Sequence, residues 1–480
     1  MAYRFRLSFP VQRSTGGIIF RITEIVAGLV EVEGCVINQK GIMGNTPLGW
    51  AARNGQEEVV KMLLAQDGID LNKGDQEGRT PLWWAAFNGH QGVVEMLLAR
   101  NGTDPNRPDR CWQTPLWVAV SDGYEGVVKM LLGRDDTNPN QHCGKGKTAL
   151  QWAARNGDQR MVKMLLGRGD TDPNRSDDWG ETPLGIAAES GYKGVMKILL
   201  GRDGTDPNRS DVDGRTPLWW AARNGDQGMV KILLGHDDTD PDKPDQYGET
   251  PLSIAASIGH AGVMKILLGR DDVNPNKLDE HNKTPLWWAT SSGHEGAVKA
   301  LLERDDVNTY TPDDYYEALS SAAYQGHEGV VKALLELDAA NPGRAGGVGK
   351  TPLWLAAQKG HKELVKILLR ESISPDNPDE YGRTPLSITA ENGHEEVVKL
   401  LLGRDDVNPD KPDKDGQGPL WWAARNGCEE VVRLLLEQEE VSLNRPNRYG
   451  QTPLSIAARH DHAGVIALLQ PPTDAGHSTT

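Results

Sequence analysis

The chain has little cysteine and no long hydrophobic run. Its 480 residues include four cysteines, and none forms a Cys-x-x-Cys pair. Such sparse use argues against a zinc site or a disulfide framework and is typical of a reducing compartment. No apolar run approaches the roughly 18 residues that a membrane-spanning helix needs. We therefore expect a cytoplasmic protein that does not span a membrane.

Positive charge is also in deficit. Lysine and arginine number 52 against 68 acidic residues, which gives a formal net charge of −16. An acidic surface repels the phosphates of nucleic acids and of anionic lipids. The composition therefore argues against nucleic acid and membrane surfaces as partners.

What the chain does have is a repeated word. Thr-Pro-Leu, or a near copy, occurs thirteen times, almost always 34 residues apart. A fixed period of this size predicts a solenoid, in which each repeat buries its apolar face against its neighbours. We number the repeats one to thirteen by their words, which begin at Thr46, Thr80, Thr114, Thr148, Thr182, Thr216, Thr250, Thr284, Glu317, Thr351, Thr384, Gly418 and Thr452.

The sequence of each repeat predicts two short helices followed by a loop. In repeat two, Thr80 is a good N-cap and Pro81 suits the first helical position. Apolar residues follow at helical spacing from Leu82, and Gly89 supplies the left-handed conformation that ends the first helix. A second apolar helix and a loop rich in turn-forming residues complete the unit.

The pattern Asp-x-x-Gly-x-Thr-Pro-Leu-x-x-Ala-Ala-x-x-Gly-His-x-x-Val-Val-x-x-Leu-Leu resembles the ankyrin repeat. The resemblance implies an all-α ankyrin-repeat solenoid of about 13 repeats. The 34-residue period is similar to that of ankyrin arrays of filamentous fungi, many of which belong to NACHT-type signalling proteins. One departure is visible: the family places a histidine three residues after the threonine and hydrogen-bonds the two, whereas this chain has Trp, Ser, Gly or Gln there. We expect that hydrogen bond to be lost.

The repeats define the predicted domains. Residues 46–470 form the ankyrin array, 22–45 a degenerate half repeat, and 471–480 a disordered tail. Residues 1–21 are an atypical basic segment, with four arginines and no acid. This composition fits a mitochondrial targeting peptide, a degenerate cap of the array or an ill-defined start of the coding sequence, and these interpretations stay open.

No residues suited to catalysis, cofactor binding or metal binding stand out. Seven of the twelve histidines share one repeat position just after the helix-ending turn, which predicts a structural role because metal ligands must converge within one shell. The glycine-rich segment 344–351 misses the spacing of a phosphate-binding loop, and Thr351 is in register with the repeat word. We expect no enzyme and no cofactor.

Tryptophan carries the functional signal. Counted from the threonine of each word, positions +2, +5 and +6 define the buried face of the first helix, and position +4 points nearly opposite. In ankyrin arrays that opposite face lines a concave groove. Arginine follows at +7 in four of these repeats, where it can stack on the tryptophan as a cation–π pair, and Phe87 holds the same variable position in repeat two. The predicted partner-binding residues are Trp50, Arg53, Trp84, Phe87, Trp152, Arg155, Trp220, Arg223, Trp288, Trp422 and Arg425.

Two interpretations of these tryptophans stay open. They can stiffen the array by covering neighbouring helices, or they can form a binding surface, since Trp and Arg are enriched at interface hot spots. We predict a monomeric, non-catalytic scaffold that binds a protein partner through the concave face. Acidic turn tips favour a partner with some basic character. The alternatives are a sensor fragment of a NACHT-type signalling protein and a structural spacer.

Overall fold

A computed structural model describes residues 37–41, 44–307, 312–336, 349–371 and 373–470. The predictions for segments 1–21 and 471–480, and for most of 22–45, lie outside the described residues. Within those ranges the structure has 26 helices and no strand. The predicted all-α ankyrin solenoid is confirmed. The chain divides into two compact units, Met1–Gln246 and Tyr247–Thr480.

The first unit contains repeats one to six. Their helices alternate between first and second helices of a repeat and are numbered in chain order: α1 Pro47–Arg53, α2 Glu57–Leu64, α3 Pro81–Phe87, α4 Gln91–Leu98, α5 Pro115–Ser121, α6 Glu125–Leu132, α7 Ala149–Arg155, α8 Gln159–Leu166, α9 Pro183–Ser190, α10 Lys193–Leu200, α11 Pro217–Arg223 and α12 Gln227–Leu234.

The second unit contains repeats seven to thirteen. Its helices are α13 Pro251–Ile258, α14 Ala261–Leu268, α15 Pro285–Ser291, α16 Glu295–Leu302, α17 Pro312–Gln325, α18 Glu328–Leu335, α19 Pro352–Lys359, α20 Lys362–Leu368, α21 Pro385–Asn392, α22 Glu395–Leu402, α23 Pro419–Asn426, α24 Glu429–Leu436, α25 Pro453–Arg459 and α26 Ala463–Leu469.

Local chemistry starts and ends most of the first helices as the sequence predicts, and Gly418 begins α23 without a side-chain cap. The Thr80 hydroxyl accepts the N–H of Trp83 at 3.1 Å, and Pro81 occupies the first helical position. Gly89 ends the turn with φ 71°. Alanines at +5 and +6 are fully buried, as at Ala85 and Ala86. Their small side chains let consecutive first helices of each unit pack closely, for example α1 on α3 and α3 on α5.

The expected loss of the threonine hydrogen bond is wrong for several repeats. The Ser253 and Thr250 hydroxyls lie 2.9 Å apart, and a similar pair in repeat eleven lies 3.1 Å apart. In repeat four, Gln151 Oε1 accepts the N–H of Thr148 at 2.7 Å. A polar side chain at +3 therefore replaces the histidine, because its oxygen bonds either the hydroxyl or the backbone N–H of the capping threonine.

The predicted structural role of the fixed histidines is confirmed. His90 Nε2 lies 3.1 Å from Arg53 O, the carbonyl of the +7 residue of the preceding repeat. His294 and His394 make the same contact at 3.0 Å with Ser257 O and Gln358 O. Since a carbonyl can only accept, the ring donates from Nε2. Each of these bonds links a turn to the repeat before it.

Loops of the first unit are joined by what we call the asparagine ladder: Asn38, Asn72, Asn106, Asn140, Asn174 and Asn208. Each asparagine lies one repeat from the next. The Asn106 amide donates to Asp136 O at 2.6 Å, and its Oδ1 accepts the N–H of Asn138 at 2.7 Å. The other five make the same two bonds to the following loop. The extended loop of the 34-residue repeat therefore links neighbouring repeats through side-chain bonds.

Candidate functional site

The predicted site residues lie at positions +4 and +7 of the first helices, which we call the first-helix face. They differ widely in exposure. Trp50 and Phe87 are 42% and 40% exposed, whereas Trp84 and Trp422 are only 4% and 8% exposed. Arg223 and Arg425 are exposed, and the remaining five are half-buried: Arg53, Trp152, Arg155, Trp220 and Trp288.

Trp84 is buried by two arginines. The guanidinium of Arg53, from repeat one, lies 4.2 Å from the Trp84 ring centroid, and that of Arg79 lies 4.4 Å from it. Phe87 stacks on Trp83 with centroids 5.0 Å apart and meets Trp84 edge-on. A helical wheel treats one helix alone, so it places position +4 at the surface and misses the arginines that cover it. Repeat two thus brings three predicted residues together.

A hydrogen bond that the sequence analysis missed fixes four of the +4 tryptophans. Trp84 Nε1 donates to Asp75 Oδ2 at 3.2 Å, and Trp288 Nε1 donates to Asp279 Oδ2 at 2.7 Å. Trp220 and Trp422 make the same bond at 3.3 and 3.2 Å. In each case the aspartate begins the turn nine residues earlier. The constant Asp-to-Trp spacing of nine is the sequence signal that could have revealed this bond.

These aspartates are anchored on their other oxygen. Asp413 Oδ1 accepts the N–H groups of Asp415 and Gln417 at 2.9 and 2.8 Å. Burial raises the pKa of the Asp413 carboxyl, although these hydrogen bonds and that from Trp422 act in the opposite direction. The carboxylate therefore fixes both the turn backbone and the indole.

The predicted stacking of a +7 arginine on the +4 ring of its own repeat is found in two repeats. Arg223 lies 5.5 Å from the Trp220 centroid, and Arg425 lies 5.3 Å from that of Trp422. The prediction is wrong for Arg53, which covers the ring of the next repeat. Arg155 instead forms an ion pair with Glu181 at 2.6 Å.

The two remaining +4 tryptophans of the first unit, Trp50 and Trp152, have no aspartate partner among the residues that the structure describes. Trp50 lies on a groove of about 620 Å³ that is also lined by Arg53 and Asn54. Trp152 packs against Trp117 with centroids 5.1 Å apart, and its buried Nε1 has no hydrogen-bond partner. The sequence explains the difference, since Cys143 replaces the aspartate nine residues before Trp152.

Within the described ranges, no group of three or more His, Cys, Asp or Glu side chains could hold a metal ion. None of the helices in that part of the chain is long and apolar enough to cross a bilayer. The three cysteines described, Cys111, Cys143 and Cys428, are unpaired thiols. Burial raises the pKa of the Cys143 and Cys428 thiols, so both are held as neutral side chains.

Comparison with known proteins supports the fold. A family model of ankyrin repeats in three copies matches residues 20–109, 101–177, 160–245, 204–279, 228–313, 263–345, 319–413 and 405–478. Comparison with curated proteins gives no match for this chain. The matched segments together cover nearly all of the sequence. The chain belongs to the ankyrin-repeat family.

Proposed function

We propose that this protein is a non-catalytic scaffold of the cytoplasm that binds a protein partner through the first-helix face. Ankyrin repeats are generally protein–protein interaction modules. The observation that supports this site is the set of large side chains left accessible on a stiff support. Trp50 and Phe87 are the most exposed of the predicted aromatic residues, and Phe87 stacks on a buried tryptophan.

The physical argument is preorganisation. A ring held by its neighbours loses little conformational entropy on binding, so more of its contact energy appears as affinity. Tryptophan and arginine are also the residues that dominate interface hot spots. The exposed Arg223 and Arg425 lie beside rings of the same face. The surface therefore suits a partner with aromatic or apolar anchors and hydrogen-bond acceptors.

A structural spacer is the second candidate, and one observation favours it. Four of the tryptophans are bound by their indole N–H to a turn aspartate, which is sufficient to explain their presence without a partner. Those four are therefore poor residues for a binding test, because their truncation removes scaffold contacts. The role of a NACHT-type sensor stays a prediction from the resemblance.

The test uses exposed residues alone. The full chain would be used as bait in cytosol, alongside the double variant Trp50→Ser/Phe87→Ser. The matched control is Trp112→Ser/Tyr449→Ser, which removes two exposed aromatic residues from turn tips. All three proteins should have the same helical circular dichroism.

We expect partners of the wild-type chain to be lost from the first-helix variant and kept by the control. Loss from the control alone would move the site to the turn tips. Retention by both variants, or no partner for the wild type, would contradict the proposed site and favour the spacer.

A further inference from the structure

Three carboxylates are crowded at the turn of repeat five: Asp177, Glu181 and Glu189. The Asp177 side chain is 0% exposed. Its Oδ1 accepts the N–H groups of Trp179 and Glu181 at 3.0 and 2.9 Å. Its Oδ2 is buried and has no hydrogen-bond partner. Burying a charged oxygen without a partner is costly, so this atom needs an explanation.

Repeat eleven shows how the same arrangement is completed. Asp379 and Glu391 occupy the repeat positions of Asp177 and Glu189, and the residue at the position of Glu181 is Arg383. Arg383 Nε and Nη2 lie 3.0 and 2.9 Å from Asp379 Oδ2, and its Nη1 lies 3.2 Å from Glu391 Oε2. One guanidinium therefore binds both carboxylates.

Repeat five has the carboxylates without that guanidinium. Glu181 takes the place of Arg383, and Gly185 and Ile186 stand where other repeats have tryptophans whose indole could donate. Added to Gly185, a Cβ would meet only Thr182 Oγ1, at 3.4 Å. Among the described aspartates at this repeat position, five residues before the threonine of the word, Asp177 is the one with a buried oxygen that lacks a hydrogen-bond partner.

Two cations of the preceding repeat only partly compensate. Lys147 Nζ lies 3.8 Å from Asp177 Oδ2 and 3.9 Å from Glu181 Oε2, which are ion-pair contacts too long for hydrogen bonds. Arg155 pairs with Glu181 at 2.6 Å and lies 3.9 Å from Glu189 Oε2, which also has no hydrogen bond. Three carboxylates against two cations leave one negative charge.

The charges of these carboxylates and the neighbouring ring of Trp179 both favour the binding of a further cation at the turn of repeat five. Burial raises the pKa of the Glu181 carboxyl, and the charges of Asp177 and Glu189 add to the shift while Arg155 opposes it. Trp179 is 43% exposed and occupies the repeat position of Tyr381, whose ring lies 5.5 Å from the Arg383 guanidinium. An incoming guanidinium would find a ring beside the carboxylates, as Arg383 does.

We propose that the turn of repeat five receives an arginine side chain of a protein partner, in the arrangement that Arg383 adopts in repeat eleven. The guanidinium binds Asp177 Oδ2 and Glu189 Oε2. Lys147 swings aside, which breaks its two long ion-pair contacts and its contact with the Trp179 ring at 5.0 Å, but no hydrogen bond to either carboxylate. The guanidinium replaces these contacts with shorter ones. This inference rests on the proposed function and gives the partner a chemistry: an exposed arginine in a basic segment.

The test supplies the guanidinium within the chain. Glu181→Arg recreates the residue of repeat eleven and should occupy the site. Asp177→Asn keeps the Oδ1 acceptor and removes the charged oxygen. Glu58→Arg is the matched control, because it makes the same charge change at an exposed residue of α2. The probes are two fluorescein-labelled Gly-Ser peptides with two arginines or two lysines, measured by fluorescence polarisation with the full chain.

We expect the wild type and Glu58→Arg to bind the arginine peptide, and more tightly than the lysine peptide, because only a guanidinium reaches two carboxylates at once. Glu181→Arg and Asp177→Asn should each weaken arginine binding by about tenfold, which is what loss of one charged hydrogen-bond partner amounts to. Equal weakening by Glu58→Arg would reveal general charge attraction and overturn the proposal, as would equal binding of the two peptides or no binding.

A partner-capture experiment separates this inference from the proposed function. If Glu181→Arg still captures the partner that Trp50→Ser/Phe87→Ser loses, the first-helix face binds and the arginine site does not. If both variants lose the partner, both proposals are supported. Loss from Glu181→Arg alone would support the arginine site and overturn the first-helix face.

Discussion

In the unit that ends at Gln246, a buried threonine fixes the loop after each second helix from repeat two onward. In four repeats of the unit that begins at Tyr247, a buried valine or isoleucine takes that position. The threonine hydroxyls donate to a carbonyl near the end of the second helix at 2.7 Å, and the residues are Thr103, Thr137, Thr171, Thr205 and Thr239. Their counterparts Val273, Val307, Ile373 and Val407 are as deeply buried.

The asparagine ladder also provides more hydrogen bonds in the first unit than in the second. In the first unit it is unbroken from Asn38 to Asn208, and Asp242 takes the last ladder position of that unit. In the second unit Asn276 still donates to Asp306 O at 2.7 Å, but Asp376 and Asp410 replace later asparagines. Asp376 Oδ2 accepts the N–H of Asn408 at 2.9 Å, whereas its Oδ1 is buried without a partner. The same loop is therefore held mainly by hydrogen bonds in one unit and by apolar burial in the other.

The largest expected effect comes from breaking the ladder of the first unit. The triple variant Asn106→Ala/Asn140→Ala/Asn174→Ala removes six hydrogen bonds between repeats. Because these bonds are exposed, we take the low end of their usual value and expect a loss of about 3 kcal/mol in the free energy of unfolding. Native-state hydrogen exchange with mass spectrometry should show faster exchange in the first unit only.

The control for the ladder variant is Asn101→Ala, an exposed loop residue outside the ladder. It should leave exchange unchanged. Equal acceleration in both units after the triple change would contradict the view that the ladder stabilises the first unit separately.

Restoring an asparagine at a ladder position of the second unit is expected to have an intermediate effect on the free energy of unfolding. Asp376→Asn supplies an amide that can donate where the carboxylate cannot, and we expect a gain of about 1 kcal/mol at neutral pH. Burial raises the pKa of the Asp376 carboxyl, and the charge of Asp406 adds to this. The folded state therefore binds the proton more tightly than the unfolded state, so ionised Asp376 lowers stability as pH rises through the raised pKa.

The direction in which stability changes with pH provides a second test of Asp376. The advantage of Asp376→Asn should shrink as pH falls towards the ordinary aspartate pKa of about 4, where the wild-type carboxyl is protonated. Urea unfolding at neutral and acidic pH measures it. Asp305→Asn, an exposed carboxylate of the same unit, is the control. A gain that stays constant with pH would show that Asp376 carries no ionisation penalty.

Exchanging the loop residues should have the smallest effect. Thr137→Val loses the bond to Leu131 O and gains apolar burial, so we expect a cost below about 1 kcal/mol. Val407→Thr places a hydroxyl where Leu401 O can accept it, by analogy with the threonine repeats, and should be nearly neutral. Urea unfolding of both variants tests this. A cost above about 2 kcal/mol for Val407→Thr would mean that the hydroxyl is buried without a partner, and that the loops of the two units differ in backbone.

The sequence predicted what one repeat determines locally. The cap at Thr80, the left-handed Gly89 and the role of the histidines follow from chemistry within a turn or from a constant repeat position. It did not predict the burial of Trp84, because one of the two arginines that cover it, Arg53, comes from the preceding repeat and the other, Arg79, lies in the turn before the helix. The hydrogen bond from Trp84 to Asp75 also depends on the conformation of a turn nine residues earlier.

The open oxygen of Asp177 was equally invisible in the sequence. Glu181 looks like one more acid in an acidic turn until Arg383 is seen binding two carboxylates from the same repeat position. That comparison needs the distances of both repeats. The exposure of Trp50, by contrast, agrees with its position +4, because no aspartate or arginine among the described residues of another repeat covers its ring.

The constant register of the asparagine ladder has a genetic consequence. Each amide bonds to the loop 30 and 32 residues later. Removal of residues 106–139 would put Asn140 after Pro105. Asn140 would keep its two bonds to the following loop, and Asn72 would keep its two bonds to Gly102 and Asp104 in the loop before it. Unequal recombination that adds or removes whole repeats thus regenerates every bond between loops, whereas a one-residue insertion breaks them. The gene for such a unit can change length in steps of 34 codons without passing through a misfolded intermediate.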